Sequence, residues 1–116
     1  RDELKQNVKS YAQKFEDGSC TTNTMQDQMW VALSKMKQVL EEAGSCLENV
    51  FKTFIMLKDI KDYPVMRATE LKFYQEYAPE LAEHPAASTI LQAGCLARPE
   101  FLVEIECMAV LNRKKD

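Results

Sequence analysis

The chain has 116 residues, of which 46% are hydrophobic and 28% charged, with a formal net charge of -3. This is the make-up of one ordinary globular domain, spanning 1–116, that can bury a core without disulfide or metal staples. It excludes a transmembrane helix, because no apolar run nears the required length, and it argues against a nucleic-acid surface, because the basic residues are scattered apart from Arg113, Lys114 and Lys115.

Residues 1–18 fit two readings. Val8, Tyr11 and Phe15 would line one face of a helix, while the run 8–15 equally fits an edge strand closed by Asp17 and Gly18. Residues 24–43 predict a helix: Met25, Met29, Leu33, Met36 and Leu40 form one stripe, widened by Trp30, with Thr22, Asn23 or Thr24 as cap and Gly44 as stop. The stretch from Val50 to Leu57 is rich in aromatic and β-branched residues and predicts a strand. Strict alternation puts Val50, Phe54 and Met56 on one face and Phe51, Ile55 and Leu57 on the other. Both faces are apolar and both need cover. Two helices can cover one side, so the other side predicts an oligomer.

Asp62, with Pro64 just inside the start, opens a second helix through about Tyr77, and Pro79 ends it. Residues 78–86 read as a loop. Two strands joined by a Pro-containing loop follow, the second closing at Asn112. On that second strand Glu104 and Glu106 share one face, while Val103, Ile105, Cys107 and Ala109 take the other. Acid mixed with Leu102, Met108 and Val110 predicts the floor of a cleft or an interface. The element order strand–helix–strand–helix–strand–strand predicts an α+β sheet with both helices on one face.

Four cysteines, at 20, 46, 95 and 107, form no C-x-x-C pair, and the single histidine, His84, has none nearby in sequence. No zinc site is expected, and the thiols should be reduced and mostly buried. No signal peptide opens the chain, so a cytoplasmic protein is expected.

From Gln28 onward the sequence resembles the reactive intermediate deaminase family, also called Rid, YjgF or L-PSP endoribonuclease-like. The matching pieces are residues 40–45 (Leu-Glu-Glu-Ala-Gly-Ser), 50–53 (Val-Phe-Lys-Thr), 57–63 (Leu-Lys-Asp-Ile-Lys-Asp-Tyr), Phe73-Tyr74, and the run from Leu96 to Glu106. Ser10-Tyr11-Ala12-Gln13 is placed against the family's Pro-Tyr-Ser-Gln motif. The resemblance implies a chorismate-mutase-like mixed sheet with two helices packed on one face, assembled as a homotrimer with clefts between subunits. It further implies hydrolysis of imines and enamines to 2-ketoacids and ammonia without a cofactor or metal.

That chemistry needs a cation for the substrate carboxylate and a carboxylate that positions water. By resemblance Glu104 is the water-positioning glutamate, Tyr11 the cleft tyrosine, and Thr89 lies just after the position of the substrate-binding arginine. That position holds Ala87, which cannot bind a carboxylate. Arg67 falls where the family often has an asparagine, a position that an ungapped count back from Tyr74 gives to Leu71 instead, and Arg98 lies on the loop before the last strand; either arginine is a candidate replacement cation. The plainer readings are a solvent-facing helix residue for Arg67 and a common loop motif for Arg98. The segment from Ser19 to Asp27 is too short for the second strand of the family's N-terminal hairpin. Two functions follow as expectations: an imine or enamine deaminase of altered scope, or a non-catalytic protein binding a small imine or carboxylate ligand on the same scaffold. A ribonuclease role, also attached to the family, is disfavoured by the acidic balance.

Overall fold

The computed structural model describes residues 24–112. Helix α1 (Met25–Glu42) starts from Thr24, whose Oγ1 accepts a hydrogen bond from the amide of Asp27 at 3.2 Å and whose carbonyl accepts from Gln28. The expected stripe of Met25, Met29, Leu33, Met36 and Leu40 is buried. At the far end Gly44 adopts φ +84°, and the amides of Gly44 and Ser45 turn back onto the carbonyls of Glu41 and Leu40. That paired closure satisfies two of the helix's terminal carbonyls.

A 3-10 turn (Leu47–Asn49) leads into β1 (Val50–Leu57), and another (Ile60–Asp62) into α2 (Tyr63–Tyr77), with Pro64 in its first turn. The region 78–86 is not all loop. Pro79 ends α2 but begins a further short helix, α3 (Pro79–Glu83), pinned by the buried Leu81. Strands β2 (Ala87–Gln92) and β3 (Val103–Ala109) follow.

The sheet order is β2-β1-β3, with β1 parallel to β2 and antiparallel to β3. A parallel neighbour needs a crossover, which α2 and α3 provide. Helices α1 and α2 pack on one face of this α+β sheet and bury Ile55, Leu57 and Val103 with Met29, Leu33, Met66 and Phe73. Trp30 meets Phe73 edge-on at 4.9 Å between ring centroids.

The faces of β1 differ from strict alternation. Its register against β3 shifts between Val50 and Lys52. Such a bulge inserts one extra residue and reverses the side-chain phase around it. Val50 therefore joins Thr53, Ile55 and Leu57 on the buried side, and Phe51 is 53% exposed.

The register places Phe54 and Met56 of β1, Thr89 and Leu91 of β2, and Glu104, Glu106 and Met108 of β3 on the opposite face. None of these residues belongs to the core, and Leu91 and Met108 are exposed. Downstream of β3, the amide of Asn112 bonds the carbonyl of Gly44 and the Asn49 amide group donates to Asn112 Oδ1, closing the sheet against the end of α1.

Candidate functional site

Gln28 is buried on α1, and its carboxamide grips the loop before β3 from both ends. Nε2 donates to the carbonyl of Glu100 at 2.7 Å, and Oε1 accepts from the amide of Leu102 at 2.6 Å. Lys58 Nζ holds the carbonyl of Pro99 at 2.6 Å. These bonds fix where β3 begins, and so where Glu104 stands.

Beside that loop a groove of about 620 Å³ runs between α1 and β3. Val31, Val39, Phe101 and Ile105 contribute apolar wall, and Lys35, Arg98, Glu100 and Glu104 bring charge of both signs. Glu104 is half-buried. Its strand position puts its side chain on the open sheet face, while β3, to which it belongs, borders the groove. The Arg98 side chain is 67% exposed, pairs through Nε with Glu100 at 2.6 Å, and lies over the Phe101 ring. Such a pair at the surface is weak enough to be exchanged for another carboxylate.

The remaining positions named from the sequence are spread out. Ala87 and Thr89 are exposed on β2, on the open face. Ala87 lies opposite Lys52, and Glu104 lies opposite Met56 on the far side of β1. Strand rise and spacing then separate them by roughly 15 Å within one chain. Arg67 belongs to the helix layer and is not simply solvent-facing. It is half-buried, ion-paired with Glu70, and its Nε donates to the Tyr63 hydroxyl at 3.3 Å. Burial works against its charge, but the bonds to Tyr63 and Glu70 outweigh this and raise its pKa. Tyr11 lies outside the described residues. The fold thus brings Arg98 to the groove of Glu104, keeps Ala87 and Thr89 on the opposite edge strand, and puts Arg67 in another layer.

Lys35 and Gln28 are among the groove residues that were not singled out from the sequence. Lys35 sits between Val31 and Val39 at helical spacings of four, a second stripe beside the core stripe. Gln28 is a polar residue next to the buried stripe, which is the pattern of a core residue with a dedicated partner. The cysteines among the described residues are less buried than expected. Cys95 is exposed on the loop after β2, and Cys46 and Cys107 are half-buried. Burial raises the pKa of Cys107, and burial together with the hydrogen bond its thiol donates to the Glu48 carboxylate raises that of Cys46, which keeps both as thiols and poor nucleophiles.

The family model described as endoribonuclease L-PSP matches residues 10–111. The chain belongs to this family, the Rid/YjgF family. A mitochondrial protein of Schizosaccharomyces pombe, mmf2, is 33% identical over 94 residues, covering 80% of this chain and 70% of its own. The 3-aminoacrylate deaminase RutC of Acinetobacter baylyi is 38% identical over 77 residues, covering 66% of this chain and 55% of its own. The chain thus spans little more than half of that relative. Among solved structures, NMB1025 of Neisseria meningitidis, a YjgF-family protein, superposes with a TM-score of 0.69 at 30% identity, covering 81% of this chain and 73% of its own. The Rid/YjgF fold expected from the sequence is the fold observed. Among the described residues no helix is long and apolar enough to cross a membrane.

Proposed function

We propose that this Rid-family chain is an imine or enamine deaminase, converting a 2-imino acid and water to a 2-ketoacid and ammonia in clefts between the subunits of a cytoplasmic homotrimer. The observation that carries this reading is the station of Glu104, a half-buried residue of the strand that borders the groove, on an apolar sheet face that no described element covers. In the proposed mechanism Glu104 accepts a proton from water as it adds to the imine carbon, and returns a proton to the departing nitrogen. The tetrahedral amino alcohol then collapses to the ketone and ammonia. No metal or cofactor takes part.

The substrate carboxylate needs a cation, and Ala87 offers none. Arg98 takes that role in the proposal because it lines the groove with Glu104, and its guanidinium can exchange Glu100 for the substrate. The name of the related 3-aminoacrylate deaminase supports the reaction class. The roughly 15 Å between Ala87 and Glu104 within one chain supports a cleft assembled from neighbouring copies. Ala87 itself favours the second reading, a protein on the same scaffold that binds a small imine or carboxylate ligand without turnover.

Ammonia release from 2-aminoacrylate generated in situ separates the two readings. The deaminase reading predicts acceleration over buffer, a fall of about 10²-fold or more for Glu104→Gln, a raised KM for Arg98→Ala, and a gain for Ala87→Arg. No acceleration by a folded oligomer contradicts the deaminase reading and leaves the binding one.

A further inference from the structure

The open face of the sheet is apolar but carries charge. Past the bulge, Lys52 shares it with Phe54 and Met56, and β3 adds Glu104, Glu106 and Met108. Lys52 and Glu106 are exposed, and neither takes part in an ion pair among the described residues, where lysine and arginine pairs form at Lys37, Arg67 and Arg98. The register sets Lys52 between Met108 of β3 and Ala87 of β2. Glu106 is thus its diagonal neighbour across β1 and β3, a separation that long side chains can span, yet the two do not pair. Toward β2 the way is open, because Ala87 is a single methyl and β2 is the edge of the sheet. Neighbouring strands lie about 4.8 Å apart, so the four-carbon stem of Lys52 can cross Ala87 and carry its ammonium to that edge. Glu106 stands on β3, the opposite edge strand. Covering this face with apolar surface strips water from both charges, which is costly unless each meets its opposite. An occupant of the face must therefore bring an anion to Lys52 and a cation to Glu106. A second copy of the chain, turned about a rotation axis, brings both with the same two residues.

We propose that Lys52 of each chain pairs with Glu106 of the next, one such pair at every contact of the ring, and that this pair fixes how the copies are turned against one another. The ammonium crosses the Ala87 edge of its own chain and meets the carboxylate on β3 of its neighbour. Phe54, Met56 and Leu91 supply the apolar cover around it, and the pair supplies direction, which apolar area lacks. This assignment rests on the trimer reading above and not on the deaminase chemistry. Because the pair loses its water on assembly, reversing one sign is costly, while reversing both returns the attraction.

Charge reversal in the full chain, followed by sedimentation equilibrium, tests it. Lys52→Glu and Glu106→Lys should each raise the concentration at which the trimer dissociates by about 10²-fold or more, with the circular dichroism of a folded chain retained. The double variant Lys52→Glu with Glu106→Lys should return to within about tenfold of the wild type. Mixing the two single variants separates a pair between chains from a pair within one. In a mixed ring the Lys52→Glu site of one chain faces the Glu106→Lys site of the next, and the untouched Lys52 of the second type faces the untouched Glu106 of the first. Only a contact between two chains of the same type stays mismatched. The mixture should therefore form trimers at concentrations where each variant alone is monomeric, whereas a pair within one chain would gain nothing from mixing. A trimeric wild type whose single reversals stay trimeric, a double variant no better than the singles, or a mixture that does not assemble would overturn the pairing and leave the trimer standing. A monomeric wild type would overturn both.

Discussion

Tyr74 shows what burial does to a single titratable group. Desolvation, with the nearby Glu70 carboxylate adding to it, raises its pKa well above the ordinary tyrosine value of 10.0. A raised folded pKa gives a stability contribution that is complete below the unfolded value and is lost as pH climbs toward the folded one. Above about pH 10 the unfolded chain ionises this phenol and the folded chain does not, so stability should fall by about 1.4 kcal/mol per pH unit from this group. Urea midpoints between neutral pH and pH 11 check it, with Tyr74→Phe as the reference that lacks the slope. Identical pH dependence in both proteins would contradict it. At this scale legibility was uneven. The face that Glu104 shares with Glu106 could be read, because a strand with carboxylates two apart leaves few alternatives. Arg67 could not be placed, because its role depends on Glu70 and Tyr63, three and four residues away on the same helix, and on which side of α2 the sheet lies.

Among the elements, α1 was fully legible. Its stripe, its threonine cap and its glycine stop each carry a local physical reason, and they agree with one another. Gly44 is required by its backbone and not by crowding: a Cβ there meets nothing within 4 Å, but φ is +84°. Gly44→Ala should therefore cost roughly 1 kcal/mol, the left-handed penalty less the entropy gained in the unfolded chain. Gly94 has equal room without that φ, so Gly94→Ala should be close to neutral. Chemical denaturation with an unchanged m-value checks the pair. The bulge in β1 was hidden for a physical reason. Alternation reveals an inserted residue only when one face is polar, and Val50, Phe51, Phe54, Ile55, Met56 and Leu57 are apolar on both. Helix α3 was hidden because five residues are too few to show a period.

At the scale of the molecule, the described residues form a sheet with one face covered by helices and one that no described element covers. Helices close over Ile55 and Val103, while Phe54, Met56, Leu91 and Met108 stand outside the core around Glu104 and Glu106. The family was legible from the order of its short motifs, and the doubly apolar strand is what raised the expectation of a partner. The make-up of the groove was not, because Lys35, Gln28 and Arg98 come from segments that only the fold brings beside Glu104. Apolar area of this kind drives association, and in the proposed trimer each copy covers the next, setting the Ala87 edge of one chain beside the Glu104 edge of another. Sedimentation equilibrium of the chain, wild type beside Phe54→Asp, tests this most directly. The wild type should sediment as three chains and Phe54→Asp should dissociate to single folded chains; a wild type that is well folded and monomeric at all concentrations would contradict the account.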